Sequence, residues 1–147
     1  MTVQRFEAEL SGLIAQLDSK ARHQLAREIA KQLRQSQQRR IAAQLNPDGS
    51  AFAPRKPQVR GQKGKIRRTM FSKLRTTKWL KTEANANAAV VAFVREVERI
   101  ARVHQYGLRD RAQRGGPEVQ YPARQLLGLS DIDVESISDM LLKYLAQ

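Results

Sequence analysis

Apolar side chains recur at helical spacing over the first third of the chain. Residues 3–17 carry them at intervals of three and four, which predicts a first amphipathic helix. Asp18 and Ser19 interrupt this pattern and can cap a second helix. The second helix repeats apolar positions every four residues from Leu25 and is rich in Ala, Gln, Arg and Lys, which are good helix formers. We expect it to run to about Leu45.

A sequence that ends helices follows at Asn46-Pro47-Asp48-Gly49. Proline cannot continue a helix, and the Asp-Gly pair favours a turn that contains a residue at positive φ. Residues 50–66 contain two prolines and two glycines, which predicts a loop. Helical spacing returns from Ile66 to Leu74 with basic residues on the other sides, which predicts a short basic helix.

Two short segments show the pattern of a β-hairpin. Residues 76–83 alternate loosely and residues 88–94 are β-branched and apolar, with an Asn-containing turn between them. Helical spacing resumes from Glu96 to Gln105, and Gly107 is placed to end that helix. These segments predict two antiparallel strands followed by a helix.

The rest of the chain is predicted to contain a loop, a strand and a helix. Residues 108–117 are polar and indicate a second loop. Residues 118–127 hold apolar side chains around Pro122, which suits an edge strand or the end of a strand. Ser130, followed by Asp133 three residues later, is close to a capping box and opens the last helix.

The order of these elements predicts an α+β fold. It has long N-terminal helices, a small and mainly antiparallel sheet packed on helices, and a C-terminal helix. No internal repeat is visible, and 147 residues fit a single domain that spans 1–147, with a basic loop at about 50–66.

The composition narrows the possible classes of protein. The chain has no cysteine, which excludes disulfides, thiolate metal sites and a cysteine nucleophile. Its apolar runs are too short to span a bilayer, and the amphipathic N-terminus with its acids does not have the pattern of a signal peptide. We therefore expect a protein that is soluble where it is made and does not contact a membrane.

The positive charge of the chain is concentrated in one stretch. The formal net charge is +13, and Pro54–Lys81 holds eleven Lys or Arg and no acid. Such a stretch favours either a nucleic acid or an acidic protein surface as the partner. Phe71 and Trp79 could stack on bases, but their positions in the predicted helix and strand suit core residues. No zinc-finger, RNP or basic-zipper pattern is present.

Few residues suit catalysis or metal binding. His23 lies among charged residues of a predicted helix and is expected to be solvated. His104 lies at a helix end, where it could cap the helix or contact a partner. Neither has an acid at ligand spacing, and no P-loop, GxSxG or paired-carboxylate pattern occurs. We therefore expect no enzyme activity, no metal, no cofactor and no small-molecule substrate.

Three segments together resemble a known family: residues 39–55, 100–108 and 121–130. In this order and at these distances they are similar to the phage virion morphogenesis, or tail completion, family (the GpS type of contractile-tailed phages, with Mu-like relatives). The resemblance covers nearly the whole chain. It leaves open whether the source is an infectious phage, a prophage or a tail-derived particle.

The resemblance implies a structural role in the virion. A protein of this kind would cap the grown tail at its head-proximal end and make it competent to join a head. By analogy with other tail terminators it would form a homo-oligomeric ring, expected to be a hexamer. Its partners would be itself, the tail tube and sheath proteins, and head-completion or neck proteins, with incidental contact with DNA. It would be found in the host cytoplasm during assembly and in the virion tail afterwards.

The candidate partner-binding residues lie in the first turn, the basic loop, the helix end and the second loop. The alternative hypothesis is a non-specific nucleic-acid-binding protein that uses the basic 54–81 stretch, and idle solvated loops are a further possibility. The candidates are Asn46, Pro47, Asp48, Gly49, Arg55, Lys56, Arg60, Lys63, Lys65, Arg67, Arg68, His104, Arg109, Arg111 and Arg124.

Overall fold

A computed structural model describes Gly12, residues 15–55 and residues 69–146. Most of the predicted first helix, most of the basic loop and the start of the predicted short helix lie outside these described residues. Within them the chain forms three helices and two small antiparallel sheets, which confirms the α+β class. The predicted strands divide between two two-stranded sheets.

Helix α1 spans Ser19–Ala42. Its start is confirmed, because the Asp18 carboxylate accepts a hydrogen bond of 2.7 Å from the N–H of Ala21. The predicted end at Leu45 is wrong by three residues. Gln44 adopts a φ of 61°, so the backbone leaves the helix there.

The predicted turn after α1 is confirmed. Asn46 N–H donates to the Ser50 carbonyl at 2.7 Å, and the Asp48 carboxylate accepts from the N–H of Ser50 at 2.8 Å. Gly49 has a φ of 89°, which a residue with a side chain would adopt only with strain. Leu45 and Ala51 pair in an isolated antiparallel bridge, so the chain reverses direction across this turn.

The predicted short helix at Ile66–Leu74 is wrong over its described part. Residues 70–79 form successive turns, and Phe71 has a φ of 66°, which no α-helix accommodates. The Gln44 side-chain amide bonds to both backbone groups of Met70, accepting from its N–H at 3.1 Å and donating to its carbonyl at 2.9 Å. These two side-chain hydrogen bonds pair the backbone groups of Met70 in place of the hydrogen bonds of a helix.

The predicted hairpin and the helix that follows it are confirmed. Strands β1 (Leu80–Ala84) and β2 (Ala89–Phe93) pair through a tight turn, and helix α2 spans Arg95–Tyr106. Gly107 ends α2 with a φ of 63° and donates its N–H to the Val103 carbonyl.

The predicted second loop is wrong in part, because it contains a strand. Strand β3 (Arg109–Arg111) pairs antiparallel with β4 (Glu118–Gln120), and Asp110 lies opposite Val119. The predicted strand at 118–127 is accordingly reduced to three residues. The sequence of β3 is entirely charged, so no alternation of apolar residues announces it.

Helix α3 spans Asp131–Leu145 and begins with a complete capping box, as predicted. The Ser130 hydroxyl accepts from the Asp133 N–H at 3.1 Å, and the Asp133 carboxylate accepts from the Ser130 N–H at 3.0 Å. The buried Asp133 carboxylate also accepts from the Ser36 hydroxyl.

The described residues form two compact units. The first comprises those up to Ser36, Lys81–Ala92 and those from Leu129 onward. The second comprises Gln37–Leu80 and Phe93–Gly128, again only as far as they are described. Buried apolar residues of the first unit lie on α1 and α3 (Leu25, Ala26, Ala30, Ile137 and Leu141).

The second unit has a core of apolar residues drawn from α1, α2 and the turns (Ile41, Phe52, Leu74, Ala101 and Leu126). Phe71 and Trp79 pack against this core, which confirms their interpretation as core residues, and His23 is exposed as predicted. Among the described residues, no helix combines the length and apolarity that crossing a bilayer requires.

Candidate functional site

The three segments of the resemblance meet in the second unit through side-chain hydrogen bonds. The Arg40 guanidinium donates to the carbonyls of Leu45 at 2.8 Å, Gln125 at 2.7 Å and Leu126 at 2.7 Å. The Gln105 amide accepts from the N–H groups of Leu126 at 2.8 Å and Leu127 at 2.9 Å. Arg40 and Gln105 therefore join the segments 39–55, 100–108 and 121–130 into one framework.

Several predicted site residues belong to this framework. The Asn46 side chain accepts from the Gln125 N–H at 2.9 Å. Pro47 lies so close to Gly128 that a Cβ on the glycine would be 2.5 Å from the proline Cγ. Asp48 and Gly49 are exposed at the tip of the turn. The structure thus gives Asn46 and Pro47 intramolecular contacts and leaves the tip of the turn accessible.

Arg124 is a buried cation with 5% of its surface exposed. Its guanidinium donates to the carbonyls of Ala53 at 2.8 Å and Pro54 at 3.1 Å. The backbone N–H of Arg124 donates to the His104 carbonyl at 2.7 Å. Burial lowers the pKa of this guanidinium, and the charge of Arg55 lowers it further. Arg124 fixes the backbone where the basic stretch begins.

His104 stands between two aromatic rings beside Arg124. Its ring centroid lies 4.8 Å from that of Phe71 and 5.0 Å from that of Tyr121, both edge-to-face. Burial lowers the pKa of His104, and the positive charge of Arg124 lowers it further. Its Nδ1 is buried and has no hydrogen-bond partner among the described residues, which also favours the neutral ring.

These rings form one wall of a groove of about 380 Å³, here called the aromatic groove. The described residues of its lining include two arginines, four other apolar residues and no acid. Such a surface suits an occupant that carries both apolar and negatively charged groups. The lining residues are Arg55, Met70, Phe71, His104, Ala112, Val119, Tyr121, Pro122 and Arg124.

A second groove of about 560 Å³, here called the arginine groove, lies along α2 and β3. Arg109, a predicted site residue, lines it. Arg99 donates to the Asp110 carboxylate in an ion pair of 2.5 Å, and this hydrogen bond lowers the pKa of Asp110. The lining residues are Arg95, Glu98, Arg99, Arg102, Val103, Leu108, Arg109 and Asp110.

The remaining predicted residues are separate from both grooves or outside the described residues. Arg111 is exposed, donates to the Gly116 carbonyl and lies opposite Glu118 in the sheet. Outside the described residues lie Lys56, Arg60, Lys63, Lys65, Arg67 and Arg68. Within the residues that the structure describes, no cluster of three or more His, Cys, Asp or Glu could hold a metal ion.

The exposed face of α3 combines apolar and acidic side chains. Ile132 and Leu142 expose 73% and 59% of their surfaces. Glu135 and Asp139 are also exposed and lie between them at helical spacing. These four residues, here called the acidic strip, lie on the side of α3 opposite the buried Ile137 and Leu141. Sequence reasoning assigned only the buried face of this helix.

Comparison with known proteins gives two matches. The model of the phage virion morphogenesis family matches residues 1–146. Tail completion protein S of Escherichia phage P2 is 44% identical over 143 residues, which cover 96% of this chain and 95% of that protein. No solved structure matches the chain.

Proposed function

The chain belongs to the phage virion morphogenesis family, and we propose that it completes the phage tail at the head-proximal end and makes the tail competent to join a head. It acts as one tail-completion domain spanning 1–147, through self-assembly and protein contacts rather than catalysis. The similarity to a tail completion protein over almost the full length of both chains supports this role.

The observation that carries the proposed assembly is a pair of complementary surfaces. The aromatic groove has two arginines and no acid in its lining, whereas the acidic strip has two acids between two apolar side chains. Opposite charges and exposed apolar area favour contact between the strip of one copy and the groove of the next.

Because this contact joins two different surfaces, it can repeat from copy to copy as a heterologous contact. Repeated heterologous contacts generate a ring when the rotation from copy to copy closes. A ring matches the shape of a tail end, and it leaves the two open faces of the ring for different partners. We assign one face to the tail tube and sheath proteins and the other to head-completion or neck proteins.

Exposed loops supply the contacts with those partners. Asp48 and Gly49 project at the tip of the first turn, and Arg111 lies on the hairpin formed by β3 and β4. The basic residues between 56 and 68 are assigned the same role from the sequence alone. Their charge favours acidic surfaces on the partner proteins.

The test is the form of phage particles assembled without this protein. We expect filled heads to accumulate unjoined, together with tails of abnormal length or with unfinished head-proximal ends, as seen by electron microscopy. The wild-type gene supplied in trans should restore joined particles, and a gene carrying the exposed-turn substitution Asn87→Ala should do so equally well. Normal tails joined to heads in the absence of the protein would show the proposal to be wrong.

A further inference from the structure

The arginine groove is a second charged surface that the proposed tail-completion role does not use. Four arginines, two acids and two apolar residues line it. Arg95, Arg99 and Arg102 lie at i, i+4 and i+7 on α2, so they share one face of the helix. Arg109 on the neighbouring strand β3 adds a fourth guanidinium. None of the four belongs to the basic stretch from Pro54 to Lys81.

One of the two acids in the groove is already neutralised. Asp110 accepts from Arg99 at 2.5 Å, and the lowered pKa of Asp110 keeps this carboxylate ionised in the pair. Arg95, Arg102 and Arg109 are exposed, and no hydrogen bond or ion pair of their guanidinium groups occurs within residues 15–55 and 69–146. Glu98 is the one remaining acid of the lining, so the groove carries a net positive charge.

The chemistry of the lining suits phosphate groups. Guanidinium groups bind phosphate oxygens in a bidentate manner. Among the described residues no Trp or Tyr lines the groove, and these two residue types, together with Arg, contribute most of the binding energy at protein interfaces. The same absence disfavours single-stranded nucleic acid, which binds by stacking its bases on aromatic rings.

The spacing of the arginines suits a regular polyanion. A rise of 1.5 Å per residue places the backbone of Arg102 about 10 Å beyond that of Arg95 along the helix axis. This is the axial length of about three phosphates on one strand of a duplex. We propose that the arginine groove binds the phosphate backbone of double-stranded DNA without reading its sequence. This inference does not depend on the proposed tail-completion role.

The test compares the salt dependence of DNA binding between two triple variants of the full chain. Arg95→Gln/Arg102→Gln/Arg109→Gln removes three charges from the groove and keeps the Arg99–Asp110 pair. The control Lys31→Gln/Arg39→Gln/Lys143→Gln removes three exposed charges elsewhere. The probe is a short duplex of mixed sequence, titrated between about 50 and 200 mM salt.

We expect the slope of log affinity against log salt to be smaller by about 2.7 in the groove variant, since each phosphate contact contributes about 0.9. Over that fourfold range of salt, wild-type affinity should therefore fall about 40-fold more than the affinity of the groove variant. The control variant should keep the wild-type slope. The charge-conserving variant Arg95→Lys/Arg102→Lys/Arg109→Lys should also keep it.

Three results would overturn the proposal. Equal slopes for the groove and control variants would show that net charge alone governs binding. If the protein binds a single strand more tightly than the duplex, and the groove variant loses this tighter binding, the groove binds single strands. Unchanged DNA affinity with lost self-association would assign it to protein. If the triple variant does not fold, judged by far-UV circular dichroism, the pair Arg95→Gln/Arg102→Gln gives the same comparison with a slope change of about 1.8.

Discussion

Arg124 influences the protonation of His104 in the aromatic groove. The His104 carbonyl accepts from the Arg124 N–H at 2.7 Å, which holds the two side chains close together. Burial and, to a smaller extent, the Arg124 charge disfavour a protonated imidazole, and both lower the pKa of His104. A neutral ring leaves the two arginines as the charged groups among the described lining residues, and these suit an acidic occupant.

The state of His104 makes folding stability depend on pH. Because the pKa of His104 is lower in the folded chain than the ordinary histidine value of about 6.5, the unfolded chain binds more protons between the two values. The free energy of unfolding therefore has its full value above about pH 6.5. It falls as the pH decreases through this window, by at most about 1.4 kcal/mol per pH unit for one proton. We expect urea midpoints of the wild type to fall between about pH 7.5 and 5.5.

The matched variant His104→Phe keeps an aromatic ring between Phe71 and Tyr121 and removes the titrating group. Its urea midpoint should change little across the same range of pH. The variant His23→Phe alters an exposed histidine and should keep the wild-type dependence. An equal pH dependence in His104→Phe and the wild type would contradict this account.

The sequence drew attention to some residues of the groove and its framework and missed others for a physical reason. His104 and Arg124 attract attention because their chemistry is unusual at their positions. Arg40 and Gln105 do not, since arginine and glutamine on a helix are ordinarily solvated. Both side chains form hydrogen bonds with backbone groups of residues 125–127, which only folding brings near them. No local pattern could have identified them.

At the scale of elements, the sequence predicted the helices whose periodicity and caps lie within or next to the helix itself. Helices α2 and α3 carry apolar periodicity and explicit caps, and both were predicted within a residue or two. Strand β3 exists because β4 pairs with it, and its charged sequence has no strand signal. The break at Phe71 likewise depends on Gln44, which lies 26 residues from Met70 in sequence. Long-range hydrogen bonds decided these elements.

Gln44 should therefore contribute more to stability than a half-exposed glutamine usually does. Gln44→Ala removes both bonds to the Met70 backbone and should lower the free energy of unfolding by about 1–3 kcal/mol. Gln44→Gly removes the same bonds but relieves the positive φ of 61°, so it should cost about 0.5–1 kcal/mol less than the alanine variant. Urea denaturation measures both. The exposed control Gln24→Ala should stay within about 0.5 kcal/mol of the wild type, and a Gln44→Ala value in that range would refute the role.

At the scale of the whole molecule, charge is distributed unevenly. The chain carries +13, yet its last helix holds four acids and one lysine. Copies of so basic a protein repel each other, and a symmetric contact between two grooves would place arginines against arginines. Contact between the acidic strip and the aromatic groove avoids this repulsion. The charge distribution therefore favours contact between unlike surfaces over contact between two grooves.

Two variants test the two surfaces of this contact one at a time. Glu135→Lys/Asp139→Lys reverses the charge of the acidic strip, and Ala112→Glu places an acid in the aromatic groove. All three positions are exposed, so the fold should persist. A control, Glu83→Lys/Glu118→Lys, makes the same change of net charge at exposed positions outside both surfaces. The control should assemble as the wild type does.

Each variant alone should lose self-association, because every heterologous contact needs one intact strip and one intact groove. A mixture of the two should behave differently. The strip variant keeps its groove and the groove variant keeps its strip, so one productive contact forms between unlike copies and none can extend it. We expect a 1:1 complex of roughly twice the 16.7 kDa chain mass, measured by native mass spectrometry or light scattering. A mixture that stays monomeric while the wild type assembles would exclude contact between strip and groove.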